Sequence, residues 1–143
     1  MEIILKKILL LLVVCSVLLQ ANNYTNAMRA YRNGDFNKAK VLFELSATKD
    51  GTVHAQYMLG RMYLNGEGVT QNIDIALKLL NYAFDSGNIP AGCYISEAYM
   101  KKGINSSLIA EGLVAGLRKR VPHCKKVFAE YKAYSFPVEF NYQ

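Results

Sequence analysis

The fold can be predicted from one segment, AQYMLGRMYLNGEGVTQNIDIA, residues 55–76. Its first part repeats apolar side chains at the spacing of one helix face, namely Ala55, Leu59, Met62 and Tyr63. Residues 65–68 then form a turn, because their two glycines can take the positive φ values that other residues avoid. A second helical stripe follows, at Ala76, Leu79, Leu80 and Ala83. The pattern predicts two helices packed across a short turn.

The same pattern occurs on both sides of this stretch. Residues 55–63 align with residues 91–99 at an offset of 36, with alanine first and tyrosine last in both segments. Residues 36–39 align with residues 73–76 at an offset of 37. A weaker copy of the second stripe lies 34 residues further on, at Ala110, Leu113, Val114 and Leu117. Periods of about 20–50 residues are typical of repeat architectures, so we expect an array of paired helices.

Turn residues divide the chain into helical segments. The sequence predicts helices at about 23–33, 36–49, 53–65, 73–86, 89–102, 106–119 and 121–134. No strand is expected, so the predicted class is all-α. Residues 135–143 are apolar and aromatic but contain Pro137. We expect this tail to pack as an extended cap on the last helix pair, since the end of a stack must be covered.

Residues 1–21 differ from the rest of the chain. Lys6 and Lys7 precede an apolar run over residues 8–19, and Ala21 follows it. A cationic start, about a dozen apolar residues and a small residue at the end describe a secretory signal peptide, with cleavage expected near Ala21. The run is shorter than the ~20 apolar residues of a spanning helix, and a retained membrane anchor is the alternative.

Cleavage near Ala21 would change both the charge and the cysteine count. The whole chain has 17 basic and 11 acidic residues; without Lys6, Lys7 and Glu2 it keeps 15 and 10, a net charge of +5. This balance favours an acidic partner or an anionic surface. The signal peptide would take Cys15 with it, lipidation there being a lesser alternative. The two remaining cysteines are consistent with one disulfide in an exported chain and with two free thiols in a cytosolic one.

Residues 55–76 resemble the Sel1-like repeat, a subclass of the tetratricopeptide family. The resemblance rests on Leu59-Gly60, Met62-Tyr63, Gly66-x-Gly68-Val69 and Ala76 at that family's spacing. Residues 24–47 resemble an ordinary tetratricopeptide unit through Ala30-Tyr31, Gly34-Asp35-Phe36 and Ala39. The resemblance implies an α/α solenoid of about three antiparallel helix pairs over residues 22–134, of a kind used as a scaffold for binding other proteins.

The chain further resembles the exported, cysteine-rich repeat proteins of the Hcp type. Those proteins link the two helices of one repeat by a disulfide, and Cys93 lies where they place a cysteine. The resemblance therefore implies a Cys93–Cys124 bridge, with Cys124 near the end of the second helix of the last pair. Some Hcp-type proteins carry a β-lactamase label, so a hydrolase of that type is the enzymatic alternative.

Few residues are candidates for chemistry. We expect neither His54 nor His123 to bind a metal, although His123 beside Cys124 could contribute to a metal site or activate a thiolate. No Gly-x-Ser-x-Gly motif is found, and no nucleophile with its base is expected. The sequence therefore predicts no catalytic residue, no metal and no cofactor, and it favours a role other than catalysis.

The densest charge cluster is Arg118-Lys119-Arg120, with Lys125 and Lys126 nearby. Such a cluster suits nucleic acid or anionic lipid, whereas the alternative is a solvated helix end where cations meet the negative end of the helix dipole. Export argues against nucleic acid. We expect Arg118, Lys119 and Arg120 to make at most a weak contact with the envelope surface.

Tyrosines are the best candidates for a binding surface. The first helices of successive pairs line the concave face of a helical stack, and four tyrosines fall on such helices: Tyr24, Tyr31, Tyr57 and Tyr94. Tyrosine suits protein contacts because it combines a large area with a hydrogen-bonding group. The sequence thus predicts an exported adaptor, periplasmic or secreted in a bacterium, that binds a protein or peptide on its concave face. A structural envelope protein is the remaining alternative.

Overall fold

Helices account for all regular structure in the part of the chain that the computed structural model describes. That part is the backbone of residues 1–104 and 107–133, with their side chains outside 13–22, 107–108 and 132–133. The helices are α1 (Glu2–Arg32), α2 (Phe36–Lys49), α3 (Val53–Asn65), α4 (Ile73–Asp85), α5 (Ile89–Lys101), α6 (Ser107–Arg118) and α7 (Pro122–Ala133). The predicted all-α class is confirmed for these residues. The predicted cap at residues 135–143 lies outside them.

The helices pack as consecutive pairs. α1 packs on α2, α3 on α4 and α5 on α6. The pairs stack on one another through contacts of α2 with α3 and of α4 with α5. The first helices of neighbouring pairs also meet, since α3 contacts α5. α7 packs on both α5 and α6. The predicted α/α solenoid of three helix pairs is confirmed, and a seventh helix packs on the third pair.

Side-chain caps fix where three of the helices begin. The capping residues are Asp35 for α2, Asn72 for α4 and Asn88 for α5, whose side chains each accept a hydrogen bond from the backbone N–H three residues later. Such a bond satisfies one of the N–H groups that the first helical turn leaves without a partner. Pro90 lies in the first turn of α5, where its missing N–H costs nothing. Local sequence therefore sets these boundaries.

The turn between α3 and α4 requires glycine at two positions. Gly66 has a φ of 72° and Gly68 a φ of 67°, both in the left-handed region that favours glycine. A Cβ atom at Gly68 would also lie 2.7 Å from the Cβ of Phe36. The turn therefore packs directly on the first residue of α2 and ties the second helix pair to the first.

α1 is longer than predicted. Its start was expected at residue 23, after the cleavage site, whereas the structure has one continuous helix from Glu2 to Arg32. Residues 1–33 contain neither proline nor glycine, so no local signal ends the helix earlier. The apolar side chains of residues 2–12 are exposed rather than packed on the core. None of the helices in the described ranges has both the length and the hydropathy that a membrane-spanning helix needs. The signal peptide at residues 1–21 stays a prediction.

The core runs through the stack as three consecutive clusters. The first joins α1, α2 and α3 and contains the fully buried Phe43. The second joins α3, α4 and α5 and contains Leu80, and the third joins α5, α6 and α7 and contains Leu113. Because each cluster is shared by three successive helices, burial of apolar surface holds every helix to its neighbours.

Glycine lets α5 and α6 approach until their backbones touch. A Cβ atom at Gly92 would lie 3.0 Å from the Cα of Gly112, and one at Gly112 would overlap the carbonyl oxygen of Gly92. Gly60 has the same role between α3 and α4, where a Cβ atom would lie 2.7 Å from the Cγ of Leu80. A larger side chain at any of these positions must push two helices apart.

We expect Gly112→Ala to lower the free energy of unfolding by about 1–3 kcal/mol, because the added methyl group collides with the backbone at Gly92. The intrinsic helix preference, which favours alanine by about 1 kcal/mol, acts in the opposite direction. Glu111→Ala is the matched control, since Glu111 is exposed, and it should change stability by less than about 0.5 kcal/mol. Urea unfolding followed by circular dichroism measures both. Equal stability of Gly112→Ala and the unmodified protein would contradict the close approach.

Candidate partner-binding surface

Three of the four predicted tyrosines converge on Arg61 of α3. They come from three successive first helices: Tyr31 from α1, Tyr57 from α3 and Tyr94 from α5. The Cζ atom of Arg61 lies 5.7, 5.6 and 5.0 Å from their ring centroids, in that order, which is the range of a cation–π contact. The rings of Tyr57 and Tyr94 also meet edge to face, with centroids 5.6 Å apart. We call these four residues the tyrosine–arginine cluster.

Tyr24 is not part of this cluster. Its ring centroid lies 5.9 Å from that of Phe43, in the first core cluster, and 6.2 Å from that of His54, which it meets at its edge. Burial raises the pKa of the Tyr24 hydroxyl above its ordinary value. The structure therefore brings Tyr24 to His54 rather than to Arg61, and its role in binding stays a prediction.

Arg61 is a half-buried cation that forms no ion pair with any residue in the described ranges. Its Nη2 donates to the Tyr31 hydroxyl over 3.4 Å and its Nη1 to the Met58 sulfur over 3.4 Å. Its buried Nε has no hydrogen-bond partner among the residues that the structure describes. Burial opposes the charge, but the nearby tyrosines and Glu67 outweigh it and raise the pKa of Arg61. In the described ranges the hydrogen bonds of this half-buried guanidinium reach only a hydroxyl and a thioether sulfur, so Arg61 is the strongest candidate for contact with an external group.

Glu67 lies at one end of the cluster. The Tyr31 hydroxyl donates to Glu67 Oε2 over 2.5 Å, and Asn65 Nδ2 donates to Glu67 Oε1 over 3.4 Å. Burial and the hydrogen bond to Glu67 raise the pKa of Tyr31 to about 12. The Tyr31 hydroxyl therefore stays protonated at neutral pH and remains a donor. Both carboxylate oxygens of Glu67 are occupied by local donors.

His123 of α7 extends the cluster at its other end. Its ring stacks on that of Tyr94, with centroids 3.9 Å apart and planes inclined by 13°. Its Nε2 lies 2.8 Å from Glu97 Oε2, and Lys101 Nζ lies 2.9 Å from Glu97 Oε1. Burial would raise the pKa of Glu97, but the hydrogen bond with His123 and the contacts with Lys101 lower it to about 2. Glu97 is therefore ionised at neutral pH and paired at both oxygens.

Two cysteines hold α7 beside α5. Cys93 and Cys124 lie at disulfide distance, with Cα atoms 5.0 Å apart, and both are fully buried. The pairing agrees with the prediction, but the helices differ: the bridge joins α5 to α7, not the two helices of one pair. α6 passes against it at Gly116, where a Cβ atom would overlap the Cys124 sulfur. The residues next to the cysteines, Tyr94 and His123, are therefore held in their stacked arrangement.

An open groove of about 680 Å³ adjoins the cluster at Tyr57. Its apolar lining consists of Val53, Ile89, Pro90 and Val121. His54 and Lys119 add polar side chains, and no carboxylate occurs among the described residues that line it. The groove is therefore apolar with a cationic edge.

The predicted cationic residues Arg118, Lys119 and Arg120 are exposed at the end of α6. Lys119 lines the groove. Arg120 has a φ of 56°, in the left-handed region that residues other than glycine seldom adopt, where the chain turns from α6 into α7. Contact of these side chains with the envelope surface stays a prediction.

A Ser-x-x-Lys spacing occurs at Ser46 and Lys49 of α2 and was not recognised from the sequence. Ser46 is fully buried, and its hydroxyl donates to that of Thr52 over 3.1 Å. A nucleophile must be accessible to its substrate, so this serine does not support the hydrolase alternative. Within the described ranges, no group of three potential metal ligands is found.

Three residues of this surface, Arg61, Glu67 and Glu97, were not predicted, and His123 was expected beside the cystine without a binding role. Arg61 follows Tyr57 by four residues and so lies on the same helix face, a signal that was available in the sequence. The contacts of His123 depend on the packing of α7 on α5. No local sequence pattern indicates that α7 packs on α5.

Residues 53–88 match the family model of the Sel1 repeat. The match covers α3, the turn with its two glycines and α4, the helix pair that carries Tyr57 and Arg61. The chain therefore contains a Sel1 repeat, and the resemblance stated for residues 55–76 is confirmed. No solved structure matches the chain. The closer resemblance to the Hcp type lies outside this match and stays a prediction.

We expect the double variant Cys93→Ser, Cys124→Ser to lower the free energy of unfolding by about 3–4 kcal/mol. The bridge joins residues 31 apart in sequence, so its loss frees a loop in the unfolded chain. The unmodified protein with reductant is the matched control and should unfold at about the same temperature as the double variant. Thermal unfolding with and without reductant measures the effect. Alkylation of Cys93 and Cys124 in protein denatured without reductant, detected by peptide mapping, would rule the bridge out.

Proposed function

We propose that this chain is an exported helical-repeat scaffold that binds a protein or peptide partner on the concave face of its solenoid. Sel1 repeats generally mediate protein–protein interactions, and residues 53–88 match such a repeat. The concave face would be formed by α1, α3 and α5, the first helices of the pairs, together with α7. The observation that carries the proposal is the tyrosine–arginine cluster, which joins three of these helices around an arginine that forms no ion pair with a described residue.

The composition of the cluster supports a protein contact. Tyrosine and arginine are enriched among the residues that dominate interface energies. Tyr31, Tyr57 and Arg61 are partly exposed, whereas Tyr94 is only 9% exposed and mainly supports the others. Because packing already holds these side chains in place, a partner would bind with little loss of side-chain entropy.

The proposal of export has its own support. Residues 1–21 have the charge and hydropathy pattern of a signal peptide, with cleavage near Ala21. The disulfide geometry of Cys93 and Cys124 fits an oxidising compartment, because disulfides are rare in the cytosol. We infer that the mature protein resides in the periplasm or outside a bacterial cell. A weak contact of Arg118, Lys119 and Arg120 with an anionic envelope surface belongs to this proposal.

We expect a photo-crosslinking amino acid at position 57 to capture a partner in cells that express the full chain. The same adduct should form from position 31, because Tyr31 and Tyr57 both contact Arg61. Position 82 is the matched control, since Tyr82 is a 53% exposed tyrosine on the second helix of the same pair. Mass spectrometry of the adducts identifies the captured protein. Adducts from position 82, and none from positions 31 and 57, would contradict binding on the first helices.

Cell fractionation and N-terminal sequencing test export. We expect the protein in the periplasmic or secreted fraction, with Asn22 as its first residue, because cleavage follows the small residue Ala21. Replacing Ala21 by a bulky residue, as in Ala21→Leu, should leave an uncleaved form. Ala129→Leu makes the same change at an exposed alanine of α7 and should leave cleavage unaffected. Recovery of the unmodified chain in the cytosol with Met1 intact would refute the proposal of export.

A further inference from the structure

We propose that the partner presents an acidic, aliphatic peptide segment to this surface. A carboxylate of that segment pairs with Arg61, and a neighbouring aliphatic side chain enters the groove beside Tyr57. The inference rests on the proposed partner-binding function and names the chemistry that the partner must have.

The charges of the surface favour an acidic partner. Each of the two carboxylates at the cluster is already occupied: Glu67 by Tyr31 and Asn65, Glu97 by Lys101 and His123. Arg61 has no ion pair within the described part of the chain, and its hydrogen bonds go to a hydroxyl and a thioether sulfur. Tyr31 and Asn65 are neutral donors, so Glu67 offsets the charge of Arg61 through the Tyr31 hydroxyl that both contact. The excess positive charge of the surface comes from Lys119 at the groove. The planar guanidinium of arginine is suited to a carboxylate, which accepts two of its N–H groups at once.

The groove supplies the second part of the recognition. Val53, Ile89 and Val121 give it an apolar wall, and Lys119 and His54 place further cationic or polar groups at its edge. Burial of an aliphatic side chain against such a wall is favourable, whereas a hydrated phosphate backbone gains nothing there. The described lining has no carboxylate that would repel an acidic segment.

Tyr57 connects the two parts. Its ring centroid lies 5.6 Å from the Cζ of Arg61, and the same side chain lines the groove. An extended peptide advances about 3.3 Å per residue, so a carboxylate at Arg61 and an aliphatic side chain in the groove can belong to one short segment. A peptide that offers both groups satisfies the cation and fills the apolar wall together.

The test uses the full chain and three pools of fluorescent peptides of equal length. One pool combines aspartate or glutamate with aliphatic residues, the second replaces the acids by asparagine or glutamine, and the third replaces them by lysine. Fluorescence anisotropy measures the dissociation constants at low and high salt. We expect the acidic pool to bind about tenfold more tightly than the amide pool, with a difference that shrinks in salt. A peptide with the sequence of residues 135–143 and vesicles of anionic phospholipid are further probes.

Variants locate the preference. Arg61→Met removes the charge with a side chain of similar length and should abolish the advantage of the acidic pool, whereas Arg61→Lys should keep part of it. Lys78→Met is the matched control, because it removes one exposed charge from α4 and should leave the advantage unchanged. Circular dichroism verifies that each variant is folded. If Arg61→Met does not fold, Arg61→Lys and the salt dependence decide.

Several outcomes overturn the inference. Equal binding of the acidic and amide pools would contradict an acidic partner, and so would an unchanged preference for the acidic pool in Arg61→Met. In either case, adducts captured from position 57 would still support the proposed function. Tighter binding of the peptide of residues 135–143 than of the acidic pool assigns the surface to the chain's own tail. Binding of vesicles that depends on Arg61, without binding of the acidic pool, assigns it to lipid. Absence of binding by all three pools also overturns it.

Discussion

Alanine and glycine at the contacts between helices set the spacing on which the rest of this structure depends. Ala39, Ala55, Ala76 and Ala91 are fully buried, and Gly112 lies against the backbone of α5. Helices separated by such small residues lie close together, and their side chains can then meet across two pairs. This is why tyrosines from α1, α3 and α5 reach one arginine. The site is therefore a consequence of the packing rather than an addition to it.

Much of the fold follows from local sequence. The bounds of α2 to α5 were predicted to within about a residue, because Asp35, Asn72 and Asn88 cap helices and glycines end them. The predicted start of α1 was wrong for a different reason. Its predicted boundary was the site where an enzyme is expected to cut, and such a site need not coincide with a physical end of a helix.

The helical period predicts which residues of one helix share a face, and only that part of the site could be predicted. Tyr24 and Tyr31 are seven residues apart and share a helix face, but the ring of Tyr24 packs on Phe43 and His54, whereas that of Tyr31 contacts Arg61. The period alone does not make that distinction. Arg61 was detectable as the residue one turn after Tyr57. The pairing of Glu97 with His123 was not, because it requires α7 to fold back onto α5, and the family spacing had assigned Cys124 to the wrong helix.

Contacts between helices in the described part of the chain join each helix to the next one or the next but one. The segments that must find each other are consequently close in sequence, which is the condition under which small domains fold fastest. Assembly can begin at any pair and extend in either direction. The cysteines of α5 and α7 are 31 residues apart, so the C-terminal helices can be brought together and cross-linked before the N-terminal pair has formed.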